Sequence, residues 1–175
     1  MPIRALSVSH AQQIAQHLRA LSKEDRYLRF GYSASDDMIA RYVAGLNFER
    51  DEIFGIYNRR LELIAMAHMA FSLETDFSSC AEFGVSVLAH ARGRGYGASL
   101  FDRAVMHARN EGVEMMFIHA LSENTAMLNI APVVRMQTHI LRSLAYCRAF
   151  TTASRIRSIQ AQRSLAMAMT AMDQV

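Results

Sequence analysis

Residues 82–97 read Glu-Phe-Gly-Val-Ser-Val-Leu-Ala-His-Ala-Arg-Gly-Arg-Gly-Tyr-Gly, and an amphipathic run follows them over 98–110. Phe83, Val85 and Val87 give the first half the β-branched and aromatic content of a buried strand. Gly93, Gly95 and Gly97 then remove side chains at alternate positions, so the backbone can curl and its N–H groups can converge on one point. The helix predicted behind them aims its unpaired N–H groups and positive dipole end into the same turn. Arg92 and Arg94 add positive charge. Strand, turn and helix together predict a site for a phosphate or pyrophosphate.

Two common phosphate loops do not fit. The triphosphate-binding loop needs a Lys-Ser or Lys-Thr pair after its glycines, which is missing here. The dinucleotide fingerprint needs G-x-G-x-x-G, whereas this spacing is G-x-G-x-G. The order Arg92-x-x-Gly95-x-Gly97, after a strand and opening a helix, instead resembles the acetyl-CoA pyrophosphate loop of the GNAT N-acetyltransferase superfamily. Downstream, Asn124-x-Ala126-Met127 is similar to the Asn-containing start of that family's next helix. The resemblance runs over residues 53–131.

That resemblance implies an α/β fold with a central mixed, mostly antiparallel sheet flanked by helices. It implies a splay between the Glu82 strand and the Met115 strand that admits the pantetheine arm of acetyl-CoA. Arg92, Gly93, Gly95 and Gly97 would hold the pyrophosphate, with Arg94 and Tyr96 in the same cofactor-binding set. The Val85 and Val87 backbone would line the pantetheine, and Asn124 would contact the cofactor.

Composition sets the bounds. The 175 residues are consistent with one domain over 1–175, with 131–175 divergent from the family pattern. A net charge of +3 is too mild to imply nucleic acid. No charged-then-apolar signal opens the chain and no run reaches membrane-spanning length, which predicts a protein off the membrane. Two cysteines, Cys80 and Cys147, do not make a disulfide framework, so a reducing, cytoplasmic setting is expected.

Upstream of the loop, Ile14, Leu18 and Leu21 sit at helical spacing behind a cap at Ser7 or Ser9. Residues 25–30, Asp-Arg-Tyr-Leu-Arg-Phe, resemble runs found in some members of the same family, including ones that acetylate protein lysines. On residue type alone they read as aromatic packing with solvated arginines, the reading adopted here. Ser33 or Ser35 opens a helix over 36–46 with Asp36 and Asp37 at its favourable end, and Tyr32 beside it is a candidate substrate contact. Residues 52–57 and 61–73 read as an antiparallel pair, apolar on both faces and so covered on both.

After the loop, Leu100, Phe101, Ala104, Val105 and Ala108 form one stripe, and Gly112 sits where the helix should stop. Residues 113–120 are nearly continuously apolar, as a central strand is, and Ser122 is placed to cap a helix over 123–131. Past Pro132 the pattern departs. The family's usual tyrosine position holds Ala131, and its later glycine is missing at Arg135-Met136. Residues 136–150 read as arginine and helix formers in place of clear strands, and 152–172 as a terminal helix carrying Met167, Met169 and Met172.

Acetyl transfer to an amine needs the donor held in line with a deprotonated nucleophile, a hydrogen-bond donor for the developing oxyanion, and a base. Glu82 is the first candidate base, with a solvated strand-end carboxylate as its other reading. His68 and His119 can face the same cleft, although a lone histidine on an apolar strand also reads as a hydrogen-bonded core residue. Ala131 removes the family's usual general acid, so the thiolate leaves unaided or with another proton source. Cys80 starts a strand with no evident histidine partner in sequence, neither cysteine has metal-ligand spacing, and no metal is expected. The expected activity is acetyl-CoA-dependent N-acetylation of an amine on a small molecule or protein. The alternative is an acyl-CoA-binding module without turnover. No nucleic acid or membrane partner is expected, and a homodimer through the Met-rich end stays open.

Overall fold

The computed structural model describes residues 1–71, 80–113, 115–120, 123–130, 136–141 and 144–149, with side chains throughout except at His119, Leu128 and 136–149. Seven strands form one sheet: β1 (Ile3–Ala5), β2 (Glu52–Tyr57), β3 (Leu63–Phe71), β4 (Cys80–Val87), β5 (Met115–Ala120), β6 (Met136–Leu141) and β7 (Leu144–Ala149). Their order is β1-β2-β3-β4-β5-β7-β6. The β4–β5 pair is parallel and the other pairs are antiparallel. A parallel neighbour needs a long crossover. Here α4 (Tyr96–Asn110) supplies it.

Three helices precede β2. They are α1 (Ala11–Arg19), α2 (Lys23–Phe30) and α3 (Asp36–Ala44), and α5 (Thr125–Ile130) follows β5. Ser22 caps α2 by accepting the Asp25 N–H at 3.1 Å, and Ser35 caps α3 by accepting the Met38 N–H at 3.3 Å. Ser35, of the two serines considered, is therefore the cap of α3. The run 25–30 lies inside α2, which ends at Gly31 in the left-handed conformation.

Both faces of the sheet are covered, as the double apolar alternation predicts. On one face the α4 stripe Leu100, Phe101, Ala104, Val105 and Ala108 packs with Phe54, Ala65, Ala67, Met69 and Phe83. Phe83 and Phe101 meet edge to face at 5.2 Å between centroids. On the other face Ile14 and Leu18 of α1 and Ile39 and Val43 of α3 join Ile53, Leu63 and Met66. Each such large side chain contributes about 1.5–3 kcal/mol by leaving water, so the two layers fix the sheet between them.

The reading of 136–150 is corrected. These residues form strands β6 and β7, and β7 pairs with β5 from Met116↔Ala149 to Ala120↔Ala145. β5 is a central strand that needs partners on both edges, and this long-range demand overrides weak local helix propensity. The expected terminal helix over 152–172 and its methionines lie outside the described residues, as do Ser122 and Ala131.

The feature that positions the site is a split in the sheet. β4 and β5 pair only from Cys80↔Met115 to Phe83↔Ile118. Beyond Phe83, β4 stays with β3 as far as Val87↔Ala65, while β5 runs on to Ala120 with only β7, on its other edge, as partner. Gly84 to Val87 therefore present backbone with no β5 partner, the splay that the sequence reading expected.

Candidate active site

A cleft of about 330 Å³ opens at the split. Val85, Ser86 and Val87 of β4 form one wall, and Gly93, Gly95, Tyr96 and Gly97 form the turn at its mouth. Asn124, Met127 and Ile130 of the α5 region close another side, and Leu28 and Arg29 of α2 a third. The sequence-predicted residues Val85, Val87, Arg92, Gly93, Gly95, Tyr96, Gly97 and Asn124 thus line one space. Arg94 does not. It lines a neighbouring open hollow with Arg59, Arg60, Glu62 and His90.

The turn has the geometry an anion cradle needs. Gly93 and Gly95 have φ of +74° and +75°, and no atom lies within 4 Å of where their Cβ atoms would be. Side chains are strained there, and the space they would occupy is open. Ser99 N–H makes an early intrahelical bond of α4 to the Gly95 carbonyl at 2.9 Å. The amides of Tyr96, Gly97 and Ala98 precede it in the first turn and have no intrahelical acceptor. Gly97 is constrained differently: a Cβ there would approach Ile130 Cδ1 to 2.9 Å, so it lets α5 close on α4. Arg92 pairs with Asp25 and donates to the Val87 carbonyl at 3.3 Å, which ties the loop to α2.

Asn124 differs from expectation in one respect. Its Oδ1 accepts the Met127 N–H at 3.1 Å, so Asn124 caps α5 in the role assigned to Ser122. Helix start and cleft lining thus converge on one side chain.

A smaller recess of about 20 Å³ adjoins the cleft and is lined by Leu28, Arg29, Glu82, Phe83, Gly84, Val85, Asn124 and Met127. Glu82, the candidate base, is here, half-buried on β4. His119 lies on β5 in register with Tyr146, and its side chain is outside the described residues. His68 is not at the cleft. It is buried, its Nδ1 accepts the Tyr42 O–H at 2.8 Å, and its Nε2–H donates to Asp51 at 3.1 Å.

The histidine belongs to a chain of contacts that the sequence did not suggest. Arg29 Nη2 donates to the Tyr42 hydroxyl at 3.2 Å, Tyr42 to His68 and His68 to Asp51. Asp51 also accepts both the Nε and Nη2 of Arg50, at 2.6 and 2.9 Å. Burial alone would raise the Asp51 carboxyl, but the hydrogen bonds from His68 and Arg50 outweigh it and hold it at about 2. Burial pushes the Tyr42 phenol up, so its proton stays on as a donor. The arginines of 25–30 are also corrected: neither is simply solvated. Arg26 pairs with Asp36 at 2.8 Å and donates to the Arg19, Leu21 and Ala34 carbonyls, while Arg29 lines both cavities.

One more buried polar group stands behind the wall. His17 of α1 donates from Nδ1 to the Leu63 carbonyl at 2.8 Å and accepts at Nε2 from Ser86 Oγ, also at 2.8 Å. Burial dominates and lowers its pKa to about 4; the Leu63 bond opposes it, and the nearby Arg29 charge adds a lesser push downward. Nothing in the spacing of α1 separated His17 from an ordinary surface histidine. For Arg29 a signal existed in Gly84, an isolated glycine inside a strand, which marks a close approach. Among the described residues, no group of three His, Cys, Asp or Glu side chains is placed to hold a metal. No helix among them is long and apolar enough to cross a membrane.

A family model described as acetyltransferase (GNAT) matches residues 14–131. Among solved structures, the fold is similar to the GNAT domain of PAT from S. lividans, with a TM-score of 0.70 and 18% identity, covering 83% of this chain and 88% of that one. It is similar to a ribosomal-protein-S5-alanine acetyltransferase from Vibrio fischeri, at TM-score 0.67 and 9% identity, with 88% and 94% covered. It also resembles a spermidine N-acetyltransferase chimera from Vibrio cholerae and hSSAT, at TM-score 0.62 and 15% identity, with 85% and 94% covered. No curated protein matches the sequence.

Proposed function

This chain belongs to the acetyltransferase (GNAT) family, and from that premise we propose that it transfers the acetyl group of acetyl-CoA to an amine. The observation that carries the reading is the split after Phe83, which opens a cleft from the glycine turn to Glu82. Acetyl-CoA supplies an activated thioester when bound. The chain's own residues would do the rest.

The open cradle over Gly93 and Gly95, with the amides of Tyr96, Gly97 and Ala98, suits a pyrophosphate. Arg92 would add charge at the price of sharing itself with Asp25. Arg94 would act from the neighbouring hollow, toward the outer phosphates. The edge of Val85 to Val87 that lacks a β5 partner would hydrogen-bond the pantetheine amides as a strand would, and an amide there would face the acetyl oxygen. Asn124 would contact the same arm where it lines both cavities.

Glu82 is the proposed base, because it lines the recess at the inner end of the cleft. Taking a proton from the incoming ammonium, directly or through water, is worth roughly 10²–10⁴-fold. His119, on the β5 side of the split, is a second candidate. His68 is assigned a positioning role, since it meets the recess only through Tyr42 and Arg29. With alanine at position 131, the leaving thiolate would take its proton from solvent. Strands β6 and β7 continue the sheet where the sequence departs from the family pattern, which supports the catalytic reading over a binding module without turnover.

The test is thiol release from acetyl-CoA over a panel of amines, with Glu82→Gln beside the wild type. The variant should bind acetyl-CoA as the wild type does and turn over roughly 10²-fold or more slowly. Equal turnover across the pH range would remove Glu82 from the role.

A further inference from the structure

Gly84 faces the guanidinium of Arg29. A Cβ at Gly84 would lie 2.6 Å from Arg29 Cζ and Nη2 and 2.7 Å from Nη1, so the strand gives up a side chain where the guanidinium lies. A glycine inside a strand weakens it, and close approach of another group is the usual compensation. Arg29 is then clamped from the other directions. Its Cζ lies 5.2 Å from the Phe30 ring centroid and 5.8 Å from that of Tyr42, and its Nη2 donates to the Tyr42 hydroxyl. That hydroxyl is fixed in turn by His68, and His68 by the buried Asp51. A surface arginine swings freely. This one is held in place.

The charge so held has no carboxylate in salt-bridge contact among the described residues. Arg26, Arg50 and Arg92 each pair with a carboxylate, whereas Arg29 forms no ion pair among the described residues. A guanidinium carries five donors in a planar fork, and among the described residues only the Tyr42 bond engages this one. The recess it lines is shared with Glu82. A fixed cation and a carboxylate at the lip of one small space match a zwitterion, amine toward Glu82 and carboxylate toward Arg29. The same cation repels a polyamine, whose second ammonium would approach it.

We propose that the acceptor is a primary amine that carries a carboxylate, of the amino-acid class, and that Arg29 is the receptor for that carboxylate. The proposal rests on the acetyl-transfer reading of the cleft. Tyr42, His68 and Asp51 are positioning residues for the guanidinium, and Gly84 is the space it needs.

The test compares amino acids with their own α-carboxamides, matched in size and differing in the charge, as acceptors for wild type, Arg29→Gln and Arg29→Lys. Acetyl-CoA binding by calorimetry and far-UV circular dichroism are recorded for each protein. The wild type should favour the acid over its amide by roughly 10–100-fold in kcat/KM, the range for a charged hydrogen bond. Arg29→Gln should erase that preference by raising KM for the acid, with the fold retained by circular dichroism, and Arg29→Lys should restore part of it. Wild-type acetylation of amides, polyamines or lysine peptides as good as that of amino acids would overturn the proposal and leave the acetyl-transfer reading intact. Weakened acetyl-CoA binding in Arg29→Gln would overturn it in favour of a cofactor contact. If the wild type binds no acetyl-CoA and acetylates no amine, the donor assignment fails and the proposal fails with it.

Discussion

Lowering the pH should loosen α1 from the cleft wall through His17. The folded ring titrates at about 4 against an ordinary 6.5, because burial disfavours its charged form. A base with a lowered folded pKa binds its proton more tightly in the unfolded chain. The neutral ring's contribution is therefore complete above about pH 6.5 and is lost as pH falls toward 4. Taking those two values, the stability lost between pH 7.5 and pH 5 is roughly 2 kcal/mol, and below pH 4 it approaches roughly 3 kcal/mol. Urea unfolding followed by far-UV circular dichroism at several pH values reads this directly. His17→Gln is the control, since its amide can still address the Leu63 carbonyl and Ser86. That variant should be weaker at neutral pH by roughly 1–3 kcal/mol. Its stability should fall less between pH 7.5 and pH 5, by the roughly 2 kcal/mol assigned to the ring. Parallel pH profiles for the two proteins would refute the reasoning, because the proton would then be taken up elsewhere.

Three further outcomes follow from the geometry. Gly95→Glu places a side chain at φ +75° and a negative charge in the cradle, and calorimetry should find acetyl-CoA binding abolished while the fold survives. Gly84→Ala must displace the Arg29 guanidinium, so acceptor KM should rise severalfold in steady-state kinetics with acetyl-CoA KM unmoved. Asp51→Asn removes the anion that holds Arg50 and His68, and chemical denaturation should show a loss of roughly 2–4 kcal/mol. In the wild type the Asp51 contribution is present above the ordinary carboxylate range and fades as pH falls toward 2, a window acid titration separates from that of His17.

The central part of the fold was legible because its signals are local. Val85 and Val87, the glycines at alternate positions and the α4 stripe each declare a strand, a turn and a helix within a few residues. The cleft-lining set followed from the family resemblance that the turn and Asn124 carry, Arg94 excepted, since side-chain direction in a loop is not fixed by spacing. β6 and β7 were not legible, because β7 depends on pairing with β5, some thirty residues earlier in the chain, and β6 on pairing with β7, and not on local propensity. The same distance hid the chain from Arg29 to Asp51, whose members come from α2, α3, the segment before β2 and β3. His17 and Ser86 are 69 residues apart and meet only once the sheet is built. Asn124 lines the cleft, and its capping of α5 was credited to Ser122, because both residue types cap helices equally well.

The most direct test of the account is calorimetric titration of the purified wild-type protein with acetyl-CoA and, separately, with ATP and NAD, beside Gly95→Glu with acetyl-CoA. The account predicts micromolar or tighter binding of acetyl-CoA to the wild type, and none to the variant. ATP and NAD should be at least tenfold weaker, because the pantetheine edge of Val85 to Val87 contributes only for the first ligand. Equal binding of all three ligands, or undiminished acetyl-CoA binding by Gly95→Glu, would contradict it.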